Sequence, residues 1–190
     1  MARSAEQTKK RIFSAATAEF TAHGVAGARV DRIATRARAN KQLIYAYFGN
    51  KRELFEAVVS EHVARFIHEV PFDADDMPAW AGQMFDFFNT HPEVPQLGAW
   101  HALEPAERQH RIPIIEKAIR DRTREIRRAQ AERKVSSRLP PAELLAVANA
   151  IAGAWNSGPP ERNPKRGVGK AELARRRAAL VDAVRALVAP

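Results

Sequence analysis

The stretch Asp31–Phe48, DRIATRARANKQLIYAYF, constrains the fold more than any other part of the chain. Ile33, Ala34 and Ala37 fall at the i, i+1 and i+4 positions of one helical face. Asn40 stands where an N-cap belongs, because its side-chain carbonyl accepts an orphan backbone N–H of the following turn. KQLIYAYF then reads as a second short helix, with Lys41, Gln42 and two tyrosines beside the apolar Ile44 and Phe48. Two short helices joined by a tight turn make a helix-turn-helix, whose second helix fits the major groove of DNA. An ordinary helical hairpin has the same pattern, so this stretch alone leaves both readings open.

Charge separates them. The chain carries a formal net charge of +9 over 190 residues. Residues 1–52 hold eleven Lys/Arg against three Asp/Glu, whereas residues 53–190 hold twenty against nineteen. The excess therefore sits on the segment with the two short helices, as expected for a phosphate-backbone partner. A membrane surface also attracts cations, but no basic amphipathic helix with an aromatic face occurs there.

The order of features around that stretch resembles the TetR family of bacterial transcriptional repressors. KKRIFSAATAEFTAHG (Lys9–Gly24) is similar to the family's first helix and VDRIATRA to its second. The third closes on Tyr45-Ala46-Tyr47-Phe48, and Gly49-Asn50-Lys51-Arg52-Glu53-Leu54-Phe55 matches the run that opens the fourth. The resemblance covers about the first third of the chain and implies an all-α fold. It implies an N-terminal three-helix helix-turn-helix DNA-binding domain over 1–51, with the motif at 31–48 and a connecting helix at 51–70. A C-terminal helical domain for effector binding and dimerisation is expected over 52–190.

Within the first domain, Ala2–Lys10 reads as a short basic arm and the first helix as running from about Ala5 to His23. Ile12, Ala16 and Phe20 form its core stripe, Phe13 is expected against helix four, and Gly24 reads as the left-handed residue that ends it. Two positions depart from the family. Ala28-Arg29 replaces the Thr or Ser that usually caps the second helix, a loss of about 1 kcal/mol that Asp31 partly offsets in the first turn. Arg29 either replaces the phosphate contact with a charge or is an ordinary exposed arginine. Arg38 stands where the family commonly has a turn glycine, so either the turn differs or Arg38 is strained.

Side-chain chemistry assigns the recognition helix. Lys41 and Gln42 lie at its N-terminal end, where Gln pairs with adenine and Lys donates to guanine acceptors. Leu43, where the family often has a small hydroxyl residue, offers only an apolar contact such as a thymine methyl. The resemblance implies that Tyr47 donates to a phosphate and that Lys51 holds another. Tyr45 is either partly core or a DNA contact, and Asn40 completes the candidate DNA-binding set.

Beyond Val70, Pro71–Pro78 reads as a boundary loop, and helices are expected at about 79–91, 96–107, 112–135, 140–157 and 170–189. Residues 156–169 read as a long loop. Trp80, Met84, Phe87 and Phe88 share one helical face, and Trp100 and Leu103 add bulk on the next helix. These either form core or line the ligand cavity that the resemblance implies. Arg122 interrupts an apolar stripe on helix 112–135; it either anchors an anionic ligand or snorkels and pairs with Glu125. Leu144, Val147, Ile151 and Trp155 on one helix and Leu180, Val184 and Leu187 on the last are the expected homodimer interface.

No catalytic or metal site is marked. There is no cysteine, and the six histidines lack metal-ligand spacing. No leader is visible, and the longest nearly apolar run, Leu144–Trp155, is too short to span a bilayer. The expectation is a cytoplasmic, nucleoid-associated, cofactor-free dimer that binds double-stranded operator DNA and an unidentified small-molecule effector, most simply as a repressor. An all-α small-molecule enzyme and a non-specific DNA-binding protein are the alternatives.

Overall fold

Helical periodicity dominates the sequence, and the computed structural model is all-α. It describes residues 2–104, 112–156 and 168–190. Among these residues there are nine helices and no strands: α1 Ala2–Gly27, α2 Val30–Ala37, α3 Lys41–Phe48, α4 Lys51–Glu69, α5 Met77–Thr90, α6 Glu93–Ala102, α7 Pro113–Ala131, α8 Pro141–Ala152 and α9 Lys170–Val188. No helix among them is long and apolar enough to cross a membrane.

Two compact units result. The first comprises Met1–Val63 with Gln96–Ile112, the second Ala64–Pro95 with Pro113–Pro190. In the first, Ile12, Ala16 and Phe20 of α1 are fully buried, together with Ile33, Ile44, Leu54 and Val58 from the next three helices. Phe20 meets Phe55 edge-on at 5.1 Å, and Phe13 lies 5.6 Å from the His62 ring, placing it against α4 as expected. The expected basic arm is not an arm: α1 is helical from Ala2 onward. Gly24 breaks α1 with φ 63 and ψ −173, a conformation that glycine adopts without a Cβ clash.

The second unit is built on contacts of α5 with α8 and α9, of α8 with α9, and of α7 with α8. Its core holds Trp80, Met84, Phe85, Ile126, Leu144, Leu180 and Val184. The helix bounds shift from expectation where prolines sit in first turns. α5 begins at Met77 because Asp76 accepts the Ala79 N–H and Pro78 occupies the first turn, where no intrahelical N–H is required. α6 likewise begins at Glu93, with Pro95 inside it. α7 stops at Ala131 rather than 135. Arg133 takes the left-handed φ of 58, and Gln130 donates its amide to the carbonyls of Ser136 and Leu139. α8 ends at Ala152, not 157. The far end of the helix expected at 96–107 and most of the loop expected at 156–169 lie outside the described residues.

Candidate nucleic-acid interface

The two short helices have the expected bounds, and the two ends of α2 account for the two departures from the family pattern. Arg29 is the N-cap of α2, with extended backbone (φ −121) and no side-chain capping bond. A carboxylate from α1 serves that end instead: Glu19 Oε1 accepts the Arg29 backbone N–H at 2.9 Å. The same oxygen accepts Arg32 Nε at 2.7 Å, and Arg32 Nη2 also donates to the Gly27 carbonyl at 2.8 Å. Glu19 is only 6% exposed. Burial alone pushes its pKa up, but the Arg32 side chain and the Arg29 N–H outweigh burial and hold it below the usual carboxylate value.

At the other end of α2, Arg38 adopts φ 49 and ψ 47, so the residue in the glycine position is held in the left-handed region. Its N–H donates to Thr35 O, and the next N–H, of Ala39, donates to Ala34 O at 3.0 Å, which closes the helix in the manner of a glycine terminus. The turn thus keeps the shape of a glycine turn while an arginine bears its strain. Asn40 then caps α3, accepting the Gln42 N–H at 2.7 Å.

Ile44 anchors α3 at 1% exposure, and most of the helix around it is open: Gln42 and Ala46 are exposed opposite it, Lys41 is exposed on one flank, and Tyr45 and Tyr47 are 43% and 37% exposed. Tyr45 is therefore surface rather than core. Leu43 and Phe48 are half-buried. Lys41 Nζ is 2.8 Å from the exposed Asp31 carboxylate of α2, a bond that raises the lysine pKa. Lys51, at the start of α4, donates to the carbonyls of Ala28 at 3.1 Å and Ala26 at 3.4 Å. Asn50 caps α4 by accepting the N–H groups of Arg52 and Glu53. Arg29, Arg36 and Arg38, at the two ends and in the last turn of α2, are exposed.

Two residues escaped the sequence reading, Glu19 and Arg32, which set the entry to α2. The signal was present: Glu19 is an acid one position from Phe20, at i+7 of the stripe that starts at Ile12.

The other expected site residues divide between the units. Trp80, Met84 and Phe87 are buried core, and Phe88 packs on Phe66 at 5.5 Å. Trp100 and Leu103 belong with the first unit, not with these aromatics. Trp100 Nε1 donates to Thr21 O, and both Trp100 and Leu103 line a cavity of about 640 Å³ with His23, Gly24 and Lys51. Leu144, Leu180 and Val184, expected on a dimer face, are buried within the subunit's own core and cannot present an open surface. Ile151, Trp155 and Leu187 are half-buried against that core, and Val147 is 39% exposed. Arg122 lines a cavity of the second unit.

Residues 12–58 match the family model for bacterial regulatory proteins of the tetR family, and residues 76–186 match the tetracyclin repressor-like C-terminal domain. The HTH-type transcriptional repressor SCO4008 of Streptomyces coelicolor is 42% identical over 159 residues, covering 80% of this chain and 79% of the relative. The HTH-type transcriptional repressor NicS of Pseudomonas putida is 31% identical over 99 residues, covering 48% of this chain and 47% of the relative. Among solved structures, that of the transcriptional regulator SCO4942 from Streptomyces coelicolor superposes with a TM-score of 0.81 at 36% identity. It covers 95% of this chain and 98% of that one.

Proposed function

We propose, because this chain belongs to the TetR family of bacterial regulatory proteins, that it represses transcription as a homodimer on a palindromic operator and releases DNA when a small effector binds. Transcriptional regulation through a helix-turn-helix is what the family does; the repressor sign, the dimer and the effector are the proposal. Residues 1–51 act as the DNA-binding domain and 52–190 as the effector-binding and dimerisation domain.

The observation that carries the reading is the open face of α3. A recognition helix needs one buried face to fix it and one polar face to read with. Ile44 provides the first; Gln42 and Tyr45 lie on the second, and Lys41 and Tyr47 are exposed along its flanks, three residues either side of Ile44. Gln42 and Lys41 suit base edges, while Tyr47, Arg29 and Lys51 suit phosphates. Lys41 and Lys51 reach DNA by exchanging intramolecular acceptors, Asp31 and the 26–28 carbonyls, for acceptors on the duplex. Val147, exposed on α8, and the half-buried Ile151 and Leu187 supply the start of a dimer face. An effector shifts the equilibrium only by its differential affinity for the DNA-bound and free states. Family membership favours neither an all-α enzyme nor a sequence-blind DNA-binding protein.

Selection from a random duplex pool tests the reading and does not require the operator sequence. Enrichment of one motif with twofold symmetry is expected, its half-sites separated by about one helical turn or a multiple of it. Enrichment of an asymmetric motif would refute the dimer, and no enrichment would refute sequence-specific regulation.

A further inference from the structure

The second unit contains a cavity of about 440 Å³, whose walls include Ile67, Phe72, Ile114, Ala118, Arg122 and Glu125. Volumes of about 300–1,000 Å³ hold small ligands. Its distinctive member is Arg122, whose guanidinium carbon lies 5.5 Å from the Phe66 ring, 5.6 Å from Phe72 and 5.4 Å from Trp80. Cation–π attraction fixes the guanidinium plane in this box. Yet among the described residues Arg122 has no hydrogen-bond acceptor and no ion-pair partner. Trp80, in the same box, is 1% exposed, and its Nε1–H is also buried without an acceptor. Trp80 does not line the cavity, so the half-buried Arg122 guanidinium is the donor that faces it; it can only donate, and a donor left unmade favours a ligand that brings an acceptor.

The other charges on the wall narrow the chemistry. Lys117 and Asp121 are bonded to each other at 2.6 Å, and Asp121 also takes Arg124 at 2.7 Å, so neither selects a ligand. Glu125 adds a negative charge near Arg122, which weighs toward a neutral carbonyl over a full oxyanion. An organic cation would have to displace Arg122 from all three rings before it could use them. Ile67, Phe72, Ile114 and Ala118 leave the remaining surface apolar.

We infer that this cavity binds an apolar, ring-sized molecule through an oxygen acceptor, carbonyl or carboxylate, held by the Arg122 guanidinium. The inference rests on the effector-responsive reading and names the ligand class for it.

Calorimetric titration of the full chain without DNA, using 2-naphthamide, 2-naphthoate and 2-naphthylmethylammonium, tests it on one ring system. At least one oxygen-bearing probe binds, and the ammonium binds at least tenfold more weakly. Arg122→Met lowers affinity for the oxygen-bearing probe at least tenfold, and Arg122→Gln does the same if the methionine variant fails to fold. Preference for the amide assigns a neutral carbonyl ligand, and preference for the naphthoate an oxyanion. Tighter or equal binding of the ammonium overturns the inference. So does undiminished binding by a folded Arg122 variant, or binding of none of the three at millimolar concentration. Probe binding that leaves operator affinity unchanged would instead refute the effector reading while this site stands.

Discussion

Replacing Glu19 by Gln isolates the charge at the entry to the helix-turn-helix. The carboxylate accepts the Arg29 N–H and the Arg32 side chain from a nearly buried position, so one group holds both the start of α2 and its first basic residue. Glutamine keeps a carbonyl for the Arg29 N–H but gives up the charge that Arg32 faces. Hydrogen bonds to charged groups contribute about 1.5–3 kcal/mol and neutral ones about 0.5–1.5 kcal/mol. The expected loss is therefore about 2 kcal/mol, or about 4–8 °C in Tm for a chain of this size. Thermal unfolding followed by circular dichroism reads it directly. The pH dependence gives a second check. The folded-state pKa of Glu19 lies below its ordinary value of 4.5. Its stabilisation is therefore complete above that value and is lost as the pH falls through the lower folded-state pKa. The gap between wild type and Glu19→Gln should be constant at neutral pH and narrow as the pH falls below 4.5 and the Glu19 carboxylate takes up its proton, leaving two neutral side chains to compare. A gap that persists at low pH, or none at pH 7, would refute the assignment.

Three further outcomes follow from the same geometry. Arg38→Gly removes the cost of a left-handed non-glycine residue, about 1–2 kcal/mol, against a chain-entropy loss of about 0.5–1 kcal/mol. Its Tm should rise by a few degrees, and a fall would mean that the Arg38 side chain stabilises the turn in another way. Gly24→Ala should destabilise by about 2 kcal/mol or more, because φ is +63 and the added Cβ would sit 2.8 Å from Trp100 Cε3; a urea midpoint equal to that of wild type would contradict that packing. Asp31→Asn frees Lys41 from its ion pair, so binding to a selected operator should strengthen, and weaker binding in anisotropy would mean that Asp31 itself touches DNA.

The short helices were legible because each is bounded by a local signal. Asn40 caps α3, and the stripe Ile33, Ala34, Ala37 fits only a helix of about the observed length. What the sequence concealed were substitutions of one device for another. The missing cap at Ala28-Arg29 is supplied by Glu19, ten residues from Arg29, and no local rule links the two positions. Proline misled in the opposite direction. Pro78 and Pro95 look like breaks but sit in first turns, where the missing N–H costs nothing. Apolar patterning on α8 and α9 identified buried faces without saying what buries them. Leu144, Leu180 and Val184 turned inward to the subunit's own core. Trp100 and Leu103 follow Trp80 closely in sequence yet belong to the other unit, a tertiary fact that helix periodicity does not encode.

If α3 reads base edges while nearby cations hold the backbone, affinity depends on both sequence and salt, and an anisotropy titration across a salt series measures the two together. The duplex would be the motif enriched by selection, with a scrambled duplex as control and Tyr47→Phe and Lys51→Ala as variants. Preference for the motif by at least about a thousandfold is predicted. Both variants should weaken binding to the two duplexes alike, with Lys51→Ala lowering the salt slope by about one. Equal affinity for both duplexes would exclude sequence reading by α3, and variants that bind as wild type does at every salt concentration would exclude Tyr47 and Lys51 as backbone contacts.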